Sequence, residues 1–157
     1  MDLSIIIVNR NTKKLLLNCL SSIYRTVPPL IFEVFVVDNA STDDSIEAVK
    51  SAFPGVVCVE NDKNLGFAKA NNQAMRLSKG RYAALLNTDT VLTPGALDTI
   101  VKFMDANAQG DVVLGMMTDT ALSNQASNTS LTMMVLNKTG GYKQIQSLGK
   151  DPAYGME

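Results

Sequence analysis

The sequence has no histidine and no tryptophan in 157 residues. The missing histidine excludes Ser-His-Asp and Cys-His catalysis and any histidine-ligated metal within this chain. Cysteine is scarce. Cys19 and Cys58 each sit in an apolar run, so each reads as a free thiol and not as part of a disulfide framework. That usage fits a reducing cytosol. Neither sign of charge dominates, with 14 Lys and Arg against 15 Asp and Glu, so the basic surplus of a nucleic-acid binder is absent. Long hydrophobic runs are missing too. Leu3–Val8 is too short to span a membrane and lacks the basic flank and cleavage site of a signal peptide, and no later stretch reaches membrane-spanning length. No integral membrane segment is expected. Charged residues make up 18% and apolar ones 46%, which gives a chain this long the material for one ordered core.

The apolar residues alternate between two periodicities. Leu3–Val8, Phe32–Val37, Val56–Glu60, Tyr82–Leu86 and Val112–Met116 are short β-branched or apolar runs, the pattern of strands buried on both faces. Between them lie helical patterns: Lys13–Tyr24, a segment carrying Ile46, Val49 and Phe53, Phe67–Leu77, and Ala96–Ala106. Asn11 or Thr12 is placed to cap the first helix. Ser41 and Asp44 have the spacing of a capping box at the second. Pro28-Pro29 stops the first helix, and Gly80 suits a left-handed position after the third. This alternation predicts an α/β domain with a mainly parallel sheet over residues 1–117. Residues 118–157 are more polar. Within them Leu131–Leu136 reads as a strand, and Thr139-Gly140-Gly141 as a turn into Tyr142–Ile145, which would make a hairpin.

In an open parallel sheet, ligands bind beyond the carboxyl ends of the strands. Here those ends are Val8-Asn9-Arg10-Asn11, Asp38-Asn39, Asn61–Gly66 and Asn87-Thr88-Asp89. Asp38 could be a turn residue or helix cap, or it could accept a hydrogen bond from a base or ribose. Asp89 could likewise be a turn residue, or a hard ligand for Mg²⁺ or Mn²⁺ bridging phosphates. Neither a G-x-G-x-x-G nor a P-loop is present, so a nucleotide would be held by side chains and a metal.

Four blocks in order then carry a resemblance. They are Ser4–Asn11, Val36–Asp43, Asn64–Asn72 (Asn-Leu-Gly-Phe-Ala-Lys-Ala-Asn-Asn) and Leu85–Thr90. Together, over roughly residues 3–115, the chain resembles the family 2 glycosyltransferases, in particular the donor-binding part of the rhamnosyltransferase-like bacterial branch. The resemblance implies a GT-A fold, a three-layer α/β sandwich incomplete here at its C-terminus. It also implies inverting transfer of a hexosyl unit from a UDP- or dTDP-type sugar to a saccharide or lipid-linked acceptor, in polysaccharide biosynthesis. The setting would be the cytoplasm, with any contact to the inner membrane face made by parts outside this chain.

By the same resemblance, Val8 and Asn9 line the nucleoside pocket and Asp38, with Asn39 beside it, meets the base. Asn64, Gly66 and Asn72 flank the nucleotide. Asn87 and Asp89 take the place of the family's DXD motif, with Asp89 the ligand of Mg²⁺ or Mn²⁺. Thr88 stands where the branch often has proline. The family's catalytic base is a carboxylate downstream of that motif. Asp98, Asp105, Asp111, Asp119, Asp151 and Glu157 follow Asp89, and none sits in a recognisable motif. Two other readings stay open: a non-catalytic domain that keeps the fold, and a nucleotidyltransferase, which would need a glycine-rich basic loop where Asn9-Arg10-Asn11 stands.

Overall fold

The computed structural model describes residues 1–26 and 30–107, together with the backbone of 112–115 and 133–137. Its elements run β1 (Leu3–Asn9), α1 (Lys13–Arg25), β2 (Phe32–Asn39), α2 (Ser45–Ala52), β3 (Val57–Asn61), α3 (Phe67–Leu77), β4 (Tyr82–Leu86), α4 (Ala96–Ala106), β5 (Val112–Gly115) and β6 (Met133–Asn137). They form one six-stranded sheet in the order β3-β2-β1-β4-β6-β5. The first four strands are mutually parallel, with Asn9 opposite Asp38 and Ile7 opposite Leu86. β6 runs antiparallel to both its neighbours. The strand expected over Leu131–Leu136 therefore exists at Met133–Asn137, and it pairs with β4 and β5. The hairpin partner expected at Tyr142–Ile145, Met116, and Pro28-Pro29 lie outside the described residues.

Strand alternation divides the core into two layers. Ile5 and Ile7 of β1, Val34 and Val36 of β2, and Ala84 and Leu86 of β4 face α1, α2 and α4. There they meet Leu16, Leu20, Ile23, Ile46, Val49, Leu97 and Val101. Ile6, Phe35, Val37, Ala83 and Leu85 face the other way, onto Ala70, Ala74 and Met75 of α3. Burying each large aliphatic side chain contributes about 1.5–3 kcal/mol. The small alanines on α3 and β4 let that helix lie close to the sheet. From β1 to β3 the chain advances in one direction over one face. It then returns across β1 to β4 over the opposite face. Reversing both direction and face preserves the hand of the crossovers, as parallel βαβ units require. The reversal also creates a switch point between β1 and β4, where the sheet opens a crevice at its carboxyl edge.

Two local expectations are corrected. Gly80 is not among the glycines with positive φ, which among the described residues are Gly66 and Gly95. Its role is close approach, since a Cβ there would lie 2.5 Å from the Ser4 backbone nitrogen. The N–H of Gly80 donates to Ser4 Oγ (2.8 Å), which in turn donates to Glu33 (2.7 Å). The capping box is also absent. Asp44 is left-handed and makes no side-chain cap bond. Asp43 takes that role, accepting from the Ser45 N–H at 3.2 Å and from the Ser45 hydroxyl.

Candidate functional site

The carboxyl ends of β1, β2 and β4 hold one continuous hydrogen-bonded network. Asn9 ends β1 on the α1 face, and Asp38 lies opposite it on β2, facing the same way by alternation. Asn9 Nδ2 donates to Asp38 Oδ1 (2.8 Å) and to Ser41 Oγ (3.0 Å). The Ser41 N–H donates to Asp38 Oδ2 (2.8 Å), and the Ser41 hydroxyl donates to Asp38 Oδ1 (2.5 Å). Asp38 is only 5% exposed. A carboxylate offers about four acceptor positions. Three are filled by described residues, which leaves one acceptor position on Oδ2 among them.

The β1–α1 and β2–α2 loops are laced together further out. Ser41 Oγ also accepts from the Asn11 N–H (2.9 Å), and Asn11 Oδ1 accepts from the Thr42 N–H (2.8 Å). Asp43 Oδ2 accepts from the Lys13 N–H at the start of α1 (2.9 Å). Every non-glycine residue with positive φ among those described lies in these two loops: Asn11, Ala40 and Asp44. Such backbone costs about 1–2 kcal/mol per residue outside glycine, and it survives where surrounding contacts over-determine it.

Asn39 follows Asp38 and so faces the α3 layer. Its Oδ1 accepts from Asn61 Nδ2 (3.1 Å) and from the Leu65 N–H (3.4 Å), and its Nδ2 reaches the Gly66 carbonyl at 3.5 Å. Asn61 and Gln73 exchange a reciprocal amide pair at 3.0 and 2.8 Å. Asn64 Oδ1 accepts from the Gly66 N–H (3.0 Å), closing the turn that enters α3. Gly66 has φ +77 with open space around it, so backbone freedom and not room selects glycine there. Asn72, on α3, is buried, and its Oδ1 has no hydrogen-bond partner among the described residues. Val8 is half-buried and packs on the α3 layer.

On the other side of β1, Asn87–Thr90 forms a tight turn in which the Thr90 N–H donates to the Asn87 carbonyl (3.2 Å). Asp89 sits at its exposed tip. Among the described residues its carboxylate enters no salt bridge. Thr88 Oγ1 lies 3.0 Å from Thr12 Oγ1, which connects this turn to the Asn9–Asp38 network. Beneath it the Cys19 thiol contacts the Asn87 carbonyl at 3.8 Å. Burial, reinforced by the Asp89 charge, pushes that thiol up to about 12. No group of three or more acids or cysteines that could cage a metal occurs among the described residues. One exposed carboxylate suits a hard cation whose remaining ligands are phosphate oxygens and water.

Two of the acids that follow Asp89 are described, and both are engaged elsewhere. Asp98 pairs with Lys102 at 2.7 Å. Asp105 pairs with Arg81 at 2.7 Å and accepts from the Tyr82 hydroxyl at 2.7 Å, at the opposite end of β4 from Asp89. Asp111, Asp119, Asp151 and Glu157 lie outside the described residues. The structure thus joins Asn9, Asp38 and the Asn87–Asp89 turn in one network, and gathers Asn39, Asn64 and Gly66 in a second against α3. Sequence reading gave Ser41 and Thr12 only as caps and Asn61 only as a strand end, and it missed Gln73 as a site partner. Ser41 and Thr12 carry a cap signature, but their cross-loop partners are about thirty or more residues away.

The sequence profile described as Glycosyl transferase family 2 matches residues 4–154, well past the stretch where the motif blocks end. A poly(ribitol-phosphate) beta-glucosyltransferase of Bacillus spizizenii is 32% identical over 120 residues, or 73% of this chain and 19% of that protein. An Escherichia coli UDP-Glc:alpha-D-GlcNAc-diphosphoundecaprenol beta-1,3-glucosyltransferase is 30% identical over 95 residues, or 56% of this chain and 38% of that protein. The chain thus spans well under half the length of these relatives. Among solved structures, a Pyrobaculum calidifontis mannosyltransferase in complex with GDP-Man and Mn2+ superposes with a TM-score of 0.73 at 22% identity, over 94% of this chain and 45% of that one. Staphylococcus aureus TarS 1–349 in complex with UDP-GlcNAc gives 0.68 at 21%, over 98% of this chain and 48% of that one. At such identities the likeness carries the fold, which is the GT-A type.

Proposed function

The chain belongs to glycosyl transferase family 2, and from that premise we propose that it binds a nucleoside-diphosphate sugar, with Mg²⁺ or Mn²⁺, as the donor side of an inverting hexosyl transfer. The observation that carries this reading is the bonding of Asn9 and buried Asp38, through Thr12, to the exposed Asp89 turn across the β1/β4 switch point. The remaining acceptor position of Asp38 takes a donor group of the base, of the UDP or dTDP type. Val8, Asn39, Asn64, Gly66 and Asn72 shape the nucleoside walls on the α3 side. Asn72 Oδ1, buried without a partner among the described residues, is an acceptor that a ligand donor would satisfy. Asp89, with Asn87 in the same turn, would hold the metal. When bound, that metal neutralises the charge that develops on the departing diphosphate.

The acceptor is a saccharide or lipid-linked sugar in polysaccharide biosynthesis. No helix among the described residues is long and apolar enough to cross a membrane. A second reading keeps the donor site without transfer. It is favoured by the pairing of Asp98 and Asp105, which leaves neither free to act as a base.

Calorimetric titration with UDP-, dTDP- and GDP-sugars, in Mn²⁺ and then in EDTA, tests the proposal. The expected result is binding that EDTA weakens at least tenfold and that Asp89→Ala makes indifferent to metal. Absence of binding by every donor in Mn²⁺ would overturn it. Transfer or hydrolysis by this chain would remove the second reading.

A further inference from the structure

Thr12 is the N-cap residue of α1. Its carbonyl accepts the first helical bond, from Leu16 N–H at 2.9 Å, yet its hydroxyl makes no cap bond. The helix start is served instead from another loop, by Asp43 on the Lys13 N–H. The Thr12 hydroxyl is thereby released. It lies 2.7 Å from Asn9 Oδ1 and 3.0 Å from Thr88 Oγ1.

Proton counting gives this contact a direction. Asp38 can only accept, so the Asn9 amide turns Nδ2 toward it and Oδ1 toward Thr12. Asn9 Oδ1 carries no proton, so Thr12 spends its single hydroxyl proton there. Thr88 must then donate to Thr12. The resulting chain runs Thr88 hydroxyl to Thr12 hydroxyl to Asn9 amide to Asp38 carboxylate, each member polarising the next. It crosses the switch point from the turn bearing Asp89 to the acid at the end of β2. A proline at position 88 would have no hydroxyl to begin it.

We propose that Thr12 is a positioning residue that couples the Asp38 end of the site to the Asn87–Thr90 turn, so that occupancy at one end sets the geometry of the other. The coupling between nucleoside and metal rests on the donor-binding reading; the bridge itself does not. Its test therefore has two arms.

In the free chain, amide resonances of Asp89 and Thr90 are recorded for wild type, Thr12→Val and Thr12→Ser, each with and without Ser41→Ala. Ser41→Ala removes the hydroxyl that bonds Asp38, Asn9 and the Asn11 N–H, at the far end of the network from the Asn87–Thr90 turn. It is expected to shift Asp89 and Thr90 in wild type and in Thr12→Ser, and to leave them in place in Thr12→Val. Equal shifts in all three backgrounds would overturn the bridge. In the second arm, the ratio of UDP affinities in Mn²⁺ and in EDTA is measured. A loss of about tenfold in that ratio is expected for Thr12→Val, within the usual range of coupling between sites. Recovery is expected in Thr12→Ser, and Thr88→Val should behave like Thr12→Val. An unchanged ratio in Thr12→Val would overturn the coupling. If wild type binds no nucleotide, the donor-binding reading fails, and the first arm still decides the bridge.

Discussion

Asp43 holds the first N–H of helix α1 from the loop after β2, with its Oδ2 2.9 Å from the Lys13 nitrogen. The same carboxylate accepts from the N–H and hydroxyl of Ser45, which opens α2. One side chain thus serves two helix starts, and it fixes the two loops that carry Asn9 and Asp38 relative to each other.

Replacing Asp43 should therefore cost more than a local cap. Asp43→Ala is expected to destabilise the domain by about 1–2 kcal/mol, read from urea unfolding. Burial raises the Asp43 pKa, but the hydrogen bonds from Ser45 and from the Lys13 and Ser45 backbone outweigh it and hold the carboxyl below its usual range. A depressed folded pKa means stability that is present above the unfolded value of about 3.9 and lost as pH falls through the lower folded value. The gap between wild type and Asp43→Ala should be full at pH 7 and shrink below about pH 4. A gap that widened on acidification would contradict this assignment.

Gly80→Ala forces a methyl group to 2.5 Å from the Ser4 backbone nitrogen and 2.6 Å from the Leu3 carbonyl carbon, backbone atoms that cannot turn aside. The expected loss is about 1–3 kcal/mol, the range for overpacking. Differential scanning calorimetry of the variant reads it directly. A melting temperature equal to that of wild type would show that β1 and the α3–β4 connection can separate at no cost.

Ala40→Gly should act in the opposite direction. Ala40 has φ +59, a conformation that glycine adopts without the Cβ penalty. Relief of that strain offsets the added flexibility of the unfolded chain, and a net gain of up to about 1 kcal/mol is expected. The measurement is the urea midpoint, and a fall in it would mean that the left-handed turn is not strained.

Cys19 should be silent to thiol reagents at pH 8 while the domain is folded. Its thiol is buried under the Asn87 turn and pushed up to about 12 by desolvation, with the Asp89 charge adding to it. Cys58 is half-buried, and burial raises its thiol too, so a Cys58→Ser variant isolates the test. Mass spectrometry after alkylation should find no label on the folded variant and one label in denaturant. Rapid labelling of the folded variant would show that the turn opens.

The strands and helices of the sheet were legible because their signals are local. Ile5-Ile6-Ile7, Val34–Val37 and Tyr82–Leu86 are runs buried on both faces, and Leu16, Leu20 and Ile23 repeat at helical spacing. The α3–β4 connection and the helix caps were not legible, because their partners come from elsewhere. Gly80 looks like a helix terminator until Ser4 is brought against it. Ser41 has the spacing of a cap, but Asp38, Asn9 and Asn11 claim its oxygen. In the site, Asp38 and Asp89 stand out as acids directly after apolar strands. Thr12 and Ser41 carry no such mark, since a hydroxyl's role is set by which acceptor the fold places beside it. Likewise, β6 reads as a plausible strand, but nothing in Met133–Asn137 says that it will insert between β4 and β5.

That insertion imposes an order of assembly. Among the described strands, β5 meets the sheet only through β6, which the ribosome delivers some twenty residues later. The β3-β2-β1-β4 half has every strand it needs once Leu86 has emerged. β5 then waits with unpaired edges, and β4 keeps one edge open, until Met133–Asn137 arrives to join them. A newly made chain thus passes through an interval in which both edges of β5 and one edge of β4 are exposed together. In that interval, not in the finished fold, the molecule is most open to pairing with another copy of itself.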